Sequence, residues 1–311
     1  MSYAAIFPGQ GAATPGAGHA WVEHAAWQVV ADAEAATGRP LARLLLDADA
    51  DELSTTGASQ LAVLLTSLVA WRALDESLDR APVAFAGHSL GQITALIASG
   101  AVAPEDGYRL AARRADLSQL SADARPGRMA ALVGTDLEVA ATVCSGGQDV
   151  WIANDNAPGQ VVIAGTPDGL GAAAERAKAA GARRVLALDV GHAFHTPLLS
   201  EAAAELRHLL DTLTFRTPSA PVVANTDAAA HTGPAGWPDR LTRHLVEPVR
   251  WRETQTTLTA LGATTFVEIG PGRVLAGLAK RTVPDVTVLN LATPADLGPL
   301  IDALVPTGAT R

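Results

Sequence analysis

The 311-residue chain has one cysteine, Cys144. It can close no internal disulfide and cannot build a zinc site with other cysteines, so neither staple holds the fold. Lysine is almost absent: only Lys178 and Lys280 occur, and 32 acidic residues outweigh 23 basic ones to give a net charge of −9. Aromatic residues make up 4%. An acidic, aromatic-poor chain is not expected to bind nucleic acid. Long apolar runs are also missing. The longest, Leu61 to Trp71, contains Thr66 and Ser67 and stops at Arg72, short of the roughly 20 residues a bilayer requires. The first basic residue is Arg39, so no positively charged region marks a secretory signal. No membrane partner and a cytoplasmic location are therefore expected.

Core-forming material is plentiful. Hydrophobic residues reach 48%, charged residues only 18%, and mean hydropathy is +0.18, which excludes a disordered chain. The length suits two domains or one large one.

Tyr3 to Phe7 is an apolar run ended by Pro8-Gly9 and reads as a buried strand. Helical patterning follows at Trp21 to Ala36 and Gln60 to Leu78. Val83 to Ala86 reads as a strand, Ile93 to Ser99 as a helix, and Pro104 opens a further helix to about Ser121. This alternation predicts a parallel sheet covered on both faces. The middle differs. Strands at Met129–Val133, Val150–Ala153, Gln160–Ala164 and Arg184–Val190 enclose helices near Leu137–Cys144 and Asp168–Ala180. That β-α-β-β-α-β order is the ferredoxin-like unit, expected as an insert at 129–190 in a larger domain of residues 1–128 plus 191–311. Alternation then resumes with Pro197 to Leu213, Val222 to Ala224, Leu241 to Leu261, Thr265 to Ile269 and Val274 to Arg281.

Gly87-His88-Ser89-Leu90-Gly91 matches G-x-S-x-G between a predicted strand and a predicted helix, the setting of a nucleophile elbow. The glycines permit a sharp turn that projects the Ser89 hydroxyl, and the N–H of Leu90 at the helix start can face an oxyanion. A serine nucleophile needs a base. His195 is the best placed, after a strand and just before Thr196-Pro197, which reads as a helix cap and first turn. A positive helix end keeps the ring neutral. The plainer alternative is that His192 and His195 only hydrogen-bond within a loop. No third ligand is spaced to complete a metal site with them.

Arg114 shares a helical stripe with Leu110, Leu117 and Ser121, whereas Arg113 groups with Arg109 and Asp116. Arg114 is thus expected to face inward, where it needs an anionic or equivalent partner. A structural ion pair and a substrate carboxylate both meet that need. Gly9-Gln10-Gly11 lacks the third glycine of a dinucleotide fingerprint, but its loop could supply a backbone N–H. Cys144 has no adjacent base and reads as inert.

Taken in order, Phe7-Pro-Gly-Gln-Gly11, Gly87-His-Ser-Leu-Gly91, Arg113-Arg114, Asn154 to Gly165, Gly191-His-Ala-Phe-His195, Glu247-Pro-Val-Arg-Trp251 and Glu268-Ile-Gly-Pro-Gly272 resemble the malonyl-CoA:acyl carrier protein transacylase family over nearly the whole chain. The resemblance implies an α/β-hydrolase-like parallel-sheet domain carrying the ferredoxin-like insert. It implies that Ser89 carries the malonyl group and His195 serves as base, then acid. It further implies an oxyanion hole from the N–H groups of Gln10 and Leu90, and a carboxylate clamp at Arg114. Phe194, Gln92 and His88 are expected on the substrate side, with Phe194 crowding an α-methyl branch. The family orients its histidine through a backbone carbonyl, expected here in Pro248-Val249-Arg250, at Arg250. No permanently bound cofactor and no metal are implied. Malonyl-CoA is the substrate, an acyl carrier protein bearing phosphopantetheine is the transient partner, and a monomer is expected.

Gln92 departs from the glutamate usual in the fatty acid enzymes, keeping the hydrogen-bonding shape without the charge, so a polyketide pathway is as reasonable as primary metabolism. An acidic carrier would be repelled by a net-negative chain, which leaves Arg176, Lys178, Arg183 and Arg184 as a candidate docking patch or simply a solvated face. Competing readings are an α/β-hydrolase esterase with a late histidine, an editing hydrolase of the same fold, an acyltransferase for a non-malonyl group, and a carrier-binding scaffold.

Overall fold

Strand β1, Tyr3–Phe7, is buried at every residue, as an apolar segment must be when helices cover both faces of its sheet. It lies near the centre of a six-stranded sheet with β2 (Ala84–Gly87), β7 (Val222–Val223), β8 (Ala230–His231), β9 (Thr265–Ile269) and β10 (Thr287–Leu291). The order is β10-β9-β1-β2-β7-β8. All neighbours are parallel except β7 and β8. The structure, a computed structural model, describes residues 1–188 and 190–305.

The helix Thr56–Ser77 runs through the core and starts where the Thr55 side chain accepts from the Ala58 N–H. By length and composition it could cross a membrane, contrary to the reading of its apolar run as too short, but 83% of its most apolar window is buried inside the protein. Its Trp71 ring stands edge-on to Phe7 and Phe85, at centroid distances of 6.2 and 5.3 Å. The helix is thus bolted to the two strands that lead into the site.

The second sheet holds β3 (Arg128–Val133), β4 (Val150–Ala157), β5 (Gln160–Gly165) and β6 (Arg184–Leu188). Its order is β4-β5-β3-β6 and every pair is antiparallel, the ferredoxin-like arrangement that the sequence order predicts. Side chains alternate along β3. Ala130 and Leu132 pack with Ala140, Val143, Leu170 and Ala173 of the helices Leu137–Ser145 and Pro167–Ala179. Met129 and Ala131 point the other way, into a cleft between the two sheets.

Several elements differ from expectation, the unforeseen helices Leu41–Leu46, Ala50–Ser54 and Leu297–Leu304 among them. The helix read across Leu241 to Leu261 is two helices, Trp237–Val246 and Trp251–Ala260. Pro248 lacks the N–H a continuous helix would use, and the break is put to work: Val249 donates to Ala153 O and accepts from Asp155 N, each at 2.9 Å, tying the large domain to β4. β8 and β10 escaped the reading because the first has two residues and the second is a half-exposed edge strand. Too few residues alternate in either to show a period.

Gly91 permits the close approach of the helix Gly91–Ala98 to β1, since a Cβ there would sit 2.2 Å from Phe7 O. Gly91→Ala is therefore expected to lose about 3 kcal/mol or more of stability. Gly277→Ala, on an exposed helix position with nothing within 4 Å of the new Cβ, should gain about 0.5–1 kcal/mol. Urea unfolding midpoints of the two variants check both signs.

Candidate active site

At the C-terminal end of β2 the chain reverses into the helix Gly91–Ala98, and Ser89 occupies the turn with φ of +52°. A non-glycine residue is held in that region only when its surroundings over-determine it. Here the gain is directional. Ser89 Oγ lies 2.8 Å from His195 Nε2, although 106 residues separate the two.

The histidine's tautomer follows from its other nitrogen. His195 Nδ1 is 2.7 Å from the carbonyl of His244, and a carbonyl only accepts, so Nδ1 carries the proton and Nε2 is left to accept from the Ser89 hydroxyl. Burial, reinforced by the nearby Arg114 charge, pushes the His195 pKa down to about 3. The ring is a neutral acceptor at neutral pH. Arg250 does not orient it. The Arg250 carbonyl accepts instead from Thr254 N and Oγ1, as a helix start requires, whereas His244 lies in the last turn of Trp237–Val246, where carbonyls have no partner within the helix. One of these is what His195 uses.

Arg114 is 2% exposed and reaches the same point from below. Its Nη2 donates to Ser89 Oγ at 3.1 Å, and its Nη1 donates to Gln60 Oε1. Among the described residues no carboxylate pairs with it, and Nε has no partner. Burial lowers its pKa to about 10, which still leaves it charged at neutral pH. Its neighbour Arg113 faces outward and meets Glu205 at 3.5 Å, as the helical stripe predicts.

These groups open onto a cleft of about 410 Å³ between the two sheets, lined among others by Gln10, His88, Ser89, Asn156, Phe194 and His195. Phe194 is 6% exposed and stands edge-on to His192 at 5.8 Å. His192 bonds Ser121 Oγ at 3.1 Å, so it braces the loop rather than acting in it. His88 lines the cleft and donates from Nε2 to Asn156 Oδ1 at 2.8 Å; burial lowers its pKa. Among the described residues, no hydrogen bond engages the N–H of Gln10 or of Leu90, and both lie beside Ser89 with the free donors of a helix start.

Gln92 is not at the substrate side. It is 2% exposed, and its Oε1 accepts from Asn225 N at 2.9 Å, because its position in the first turn of Gly91–Ala98 aims it at the Val222–Val223 strand end instead of the cleft. Residues that sequence reasoning did not single out are Gln60 and Asn225, and His244 was weighed only as a late histidine, not for its carbonyl. Gln60 offered a faint signal, as the one amide opening an apolar helical run. Of the basic residues considered for docking, Arg176 donates to Val143 O at 2.9 Å and Lys178 pairs with Glu175 at 2.7 Å. Arg183 and Arg184 are exposed. Burial pushes the Cys144 thiol up to about 11. Among the described residues no cluster of three or more His, Cys, Asp or Glu could hold a metal.

A strained serine on an α/β-hydrolase-like sheet, a histidine hydrogen-bonded to it and, among the described residues, two unengaged N–H groups beside it form an arrangement suited to acyl transfer. Residues 5–299 match the family model described as "Acyl transferase domain". The chain is 36% identical over 305 residues to the malonyl CoA-acyl carrier protein transacylase of Bacillus subtilis, covering 96% of each. It is 37% identical over 304 residues to that of Salmonella typhimurium, covering 95% of this chain and 97% of the relative. Among solved structures, an acyl carrier protein S-malonyltransferase from Vibrio cholerae superposes with a TM-score of 0.92 at 36% identity, over 96% of this chain and 100% of that one. A type II PKS acyl-carrier protein in complex with its malonyl-transacylase gives 0.93 at 35% identity, over 97% and 100%. The chain belongs to the malonyl-CoA:acyl carrier protein transacylase family.

The depressed pKa of His195 has a sign that can be measured. An unfolded histidine titrates near 6.5, so between pH of about 6.5 and about 3 the unfolded chain holds a proton that folded His195 refuses. Stability is full above that window and falls as the pH drops through it. At pH 5 the loss from this residue is about 2 kcal/mol. Denaturant unfolding at about pH 7 and pH 5 should show His195→Gln losing about 2 kcal/mol less than wild type on acidification.

Proposed function

We propose that the protein transfers a malonyl group from malonyl-CoA to the phosphopantetheine thiol of an acyl carrier protein through an ester on Ser89. The observation that carries this reading is Arg114, a buried guanidinium bonded to Ser89 Oγ and to an amide and, among the described residues, to no carboxylate. A planar fork so placed suits the free carboxylate of a malonyl group. As Ser89 Oγ attacks the thioester carbonyl, His195 Nε2 takes its proton. The N–H groups of Gln10 and Leu90 hold the oxyanion. Collapse expels the coenzyme A sulfur, which receives the proton from His195, and the carrier's thiol then repeats the sequence in reverse with His195 as base. No resident cofactor is required for this chemistry.

A cytoplasmic monomer that meets its carrier transiently completes this reading. We assign residues 1–128 plus 191–311 to the domain that carries Ser89, His195 and Arg114, and 129–190 to the smaller one that roofs the cleft. An esterase triad finds no support, since His195 is oriented by a carbonyl. Of the late histidines, His231 pairs with Asp227 at 3.1 Å beside Trp237 and His244 lends its carbonyl to His195, and neither lines the cleft.

Intact mass spectrometry after mixing with malonyl-CoA should show a malonyl adduct that Ser89→Ala lacks and that added carrier protein removes with appearance of malonyl carrier. Rapid release of free malonate in place of transfer would replace this reading with a hydrolase. Two variants test specificity. Arg114→Ala should lose about 10²-fold or more in kcat/KM for malonyl-CoA while still accepting acetyl-CoA; a retained malonyl preference would remove Arg114 from its role. Phe194→Ser should raise the methylmalonyl-to-malonyl ratio of kcat/KM by roughly 10-fold or more, measured by competition between the two thioesters.

A further inference from the structure

Asn225 follows β7 and is 1% exposed, and both arms of its side chain grip the elbow. Its Oδ1 accepts from Ser89 N at 2.8 Å and its Nδ2 donates to Gly87 O at 2.8 Å. One amide therefore spans the two peptide units that flank His88, the units that fix where Ser89 points. Its main chain is engaged as well. Asn225 N donates to Gln92 Oε1 at 2.9 Å, and Asn225 O accepts from Arg250 N at 3.0 Å. The first bond reaches the helix whose start supplies the Leu90 N–H. The second reaches the segment that follows His244, whose carbonyl orients His195.

We propose that Asn225 is the positioning residue that holds Ser89 in its left-handed conformation and ties the nucleophile's turn to the segment that aims its base. It touches neither substrate nor the reacting atoms. Its task needs an acceptor and a donor side by side, at Ser89 N–H and Gly87 C=O, and asparagine supplies both without charge. An alanine supplies neither. An ionised aspartate supplies two acceptors, one of which opposes the Gly87 carbonyl; a protonated aspartate restores the donor. Burial raises the pKa of such an aspartate, so the defect should be cured by acid.

The proposal rests on Ser89 being the nucleophile, and two probes separate the claims: a fluorophosphonate that labels activated serines, and malonyl-CoA, each followed by intact mass from about pH 5 to about pH 8. Wild type should react at a nearly constant rate across that range. Asn225→Asp should be slowed about 10²-fold at about pH 8, as expected for a misplaced reacting group, and recover at least about tenfold by pH 5.5. Asn225→Ala should be slow at every pH with wild-type circular dichroism and an unchanged KM for malonyl-CoA. Wild-type rates in either variant, a pH-independent defect in Asn225→Asp, or a loss that only tracks the unfolded fraction would overturn the role. Should Asn225→Ala fail to fold, the pH profile of Asn225→Asp decides. A wild type unlabelled by both probes would overturn the nucleophile assignment and this role with it.

Discussion

A guanidinium taken out of water without a carboxylate beside it is among the costlier things a fold can contain, and among the described residues none pairs with Arg114. The helix Pro104–Ala124 delivers it inward by register alone, with Arg113 one residue away left to the surface. Gln60 and Ser89 satisfy part of its donor set with neutral groups, so that among the described residues no negative charge offsets it at the floor of the cleft. Two consequences follow. The charge favours an anionic substrate arm at that spot, and it disfavours a second positive charge on His195, whose pKa it helps hold down.

This explains why a carbonyl suits the histidine better than a carboxylate. An aspartate behind His195 would place a negative charge in the same dry site as Arg114, across the imidazole ring from it. Its field would partly offset that of the guanidinium, and the attraction for an anionic group in the cleft would fall. The His244 carbonyl fixes the same tautomer and the same ring orientation while adding no net charge. In the mechanism we propose, His195 holds a proton only briefly, so a strongly stabilised imidazolium is not needed; a weakly basic ring returns it readily to a departing thiolate.

How much of this could be read from the chain depended on range. Ser89, Leu90 and the turn between β2 and the following helix are encoded within five residues, and the inward face of Arg114 within one helix, so both were legible. The ferredoxin-like order was legible because four strands and two helices follow each other without interruption. The partner of His195 was not. The choice between the Arg250 and His244 carbonyls depends on which helix end has spare acceptors after the chain breaks at Pro248, and periodicity had merged those two helices. Gln92 was misplaced for a related reason, since a residue on the first turn after an elbow can face the cleft or the neighbouring strand, and only the position of Asn225 decides.

Position 92 then shows what that turn demands. Its side chain is buried and uses one acceptor, Oε1, for Asn225 N–H, while Nε2 has no partner among the described residues. A buried donor left unmade costs about 1–3 kcal/mol, which a carboxylate at this position would avoid by offering only acceptors. The carboxylate would instead carry a charge into a buried site, with its own desolvation cost. Either side chain meets the single requirement the elbow imposes, an acceptor facing Asn225. The amide form is therefore compatible with the full Ser89–His195–Arg114 arrangement.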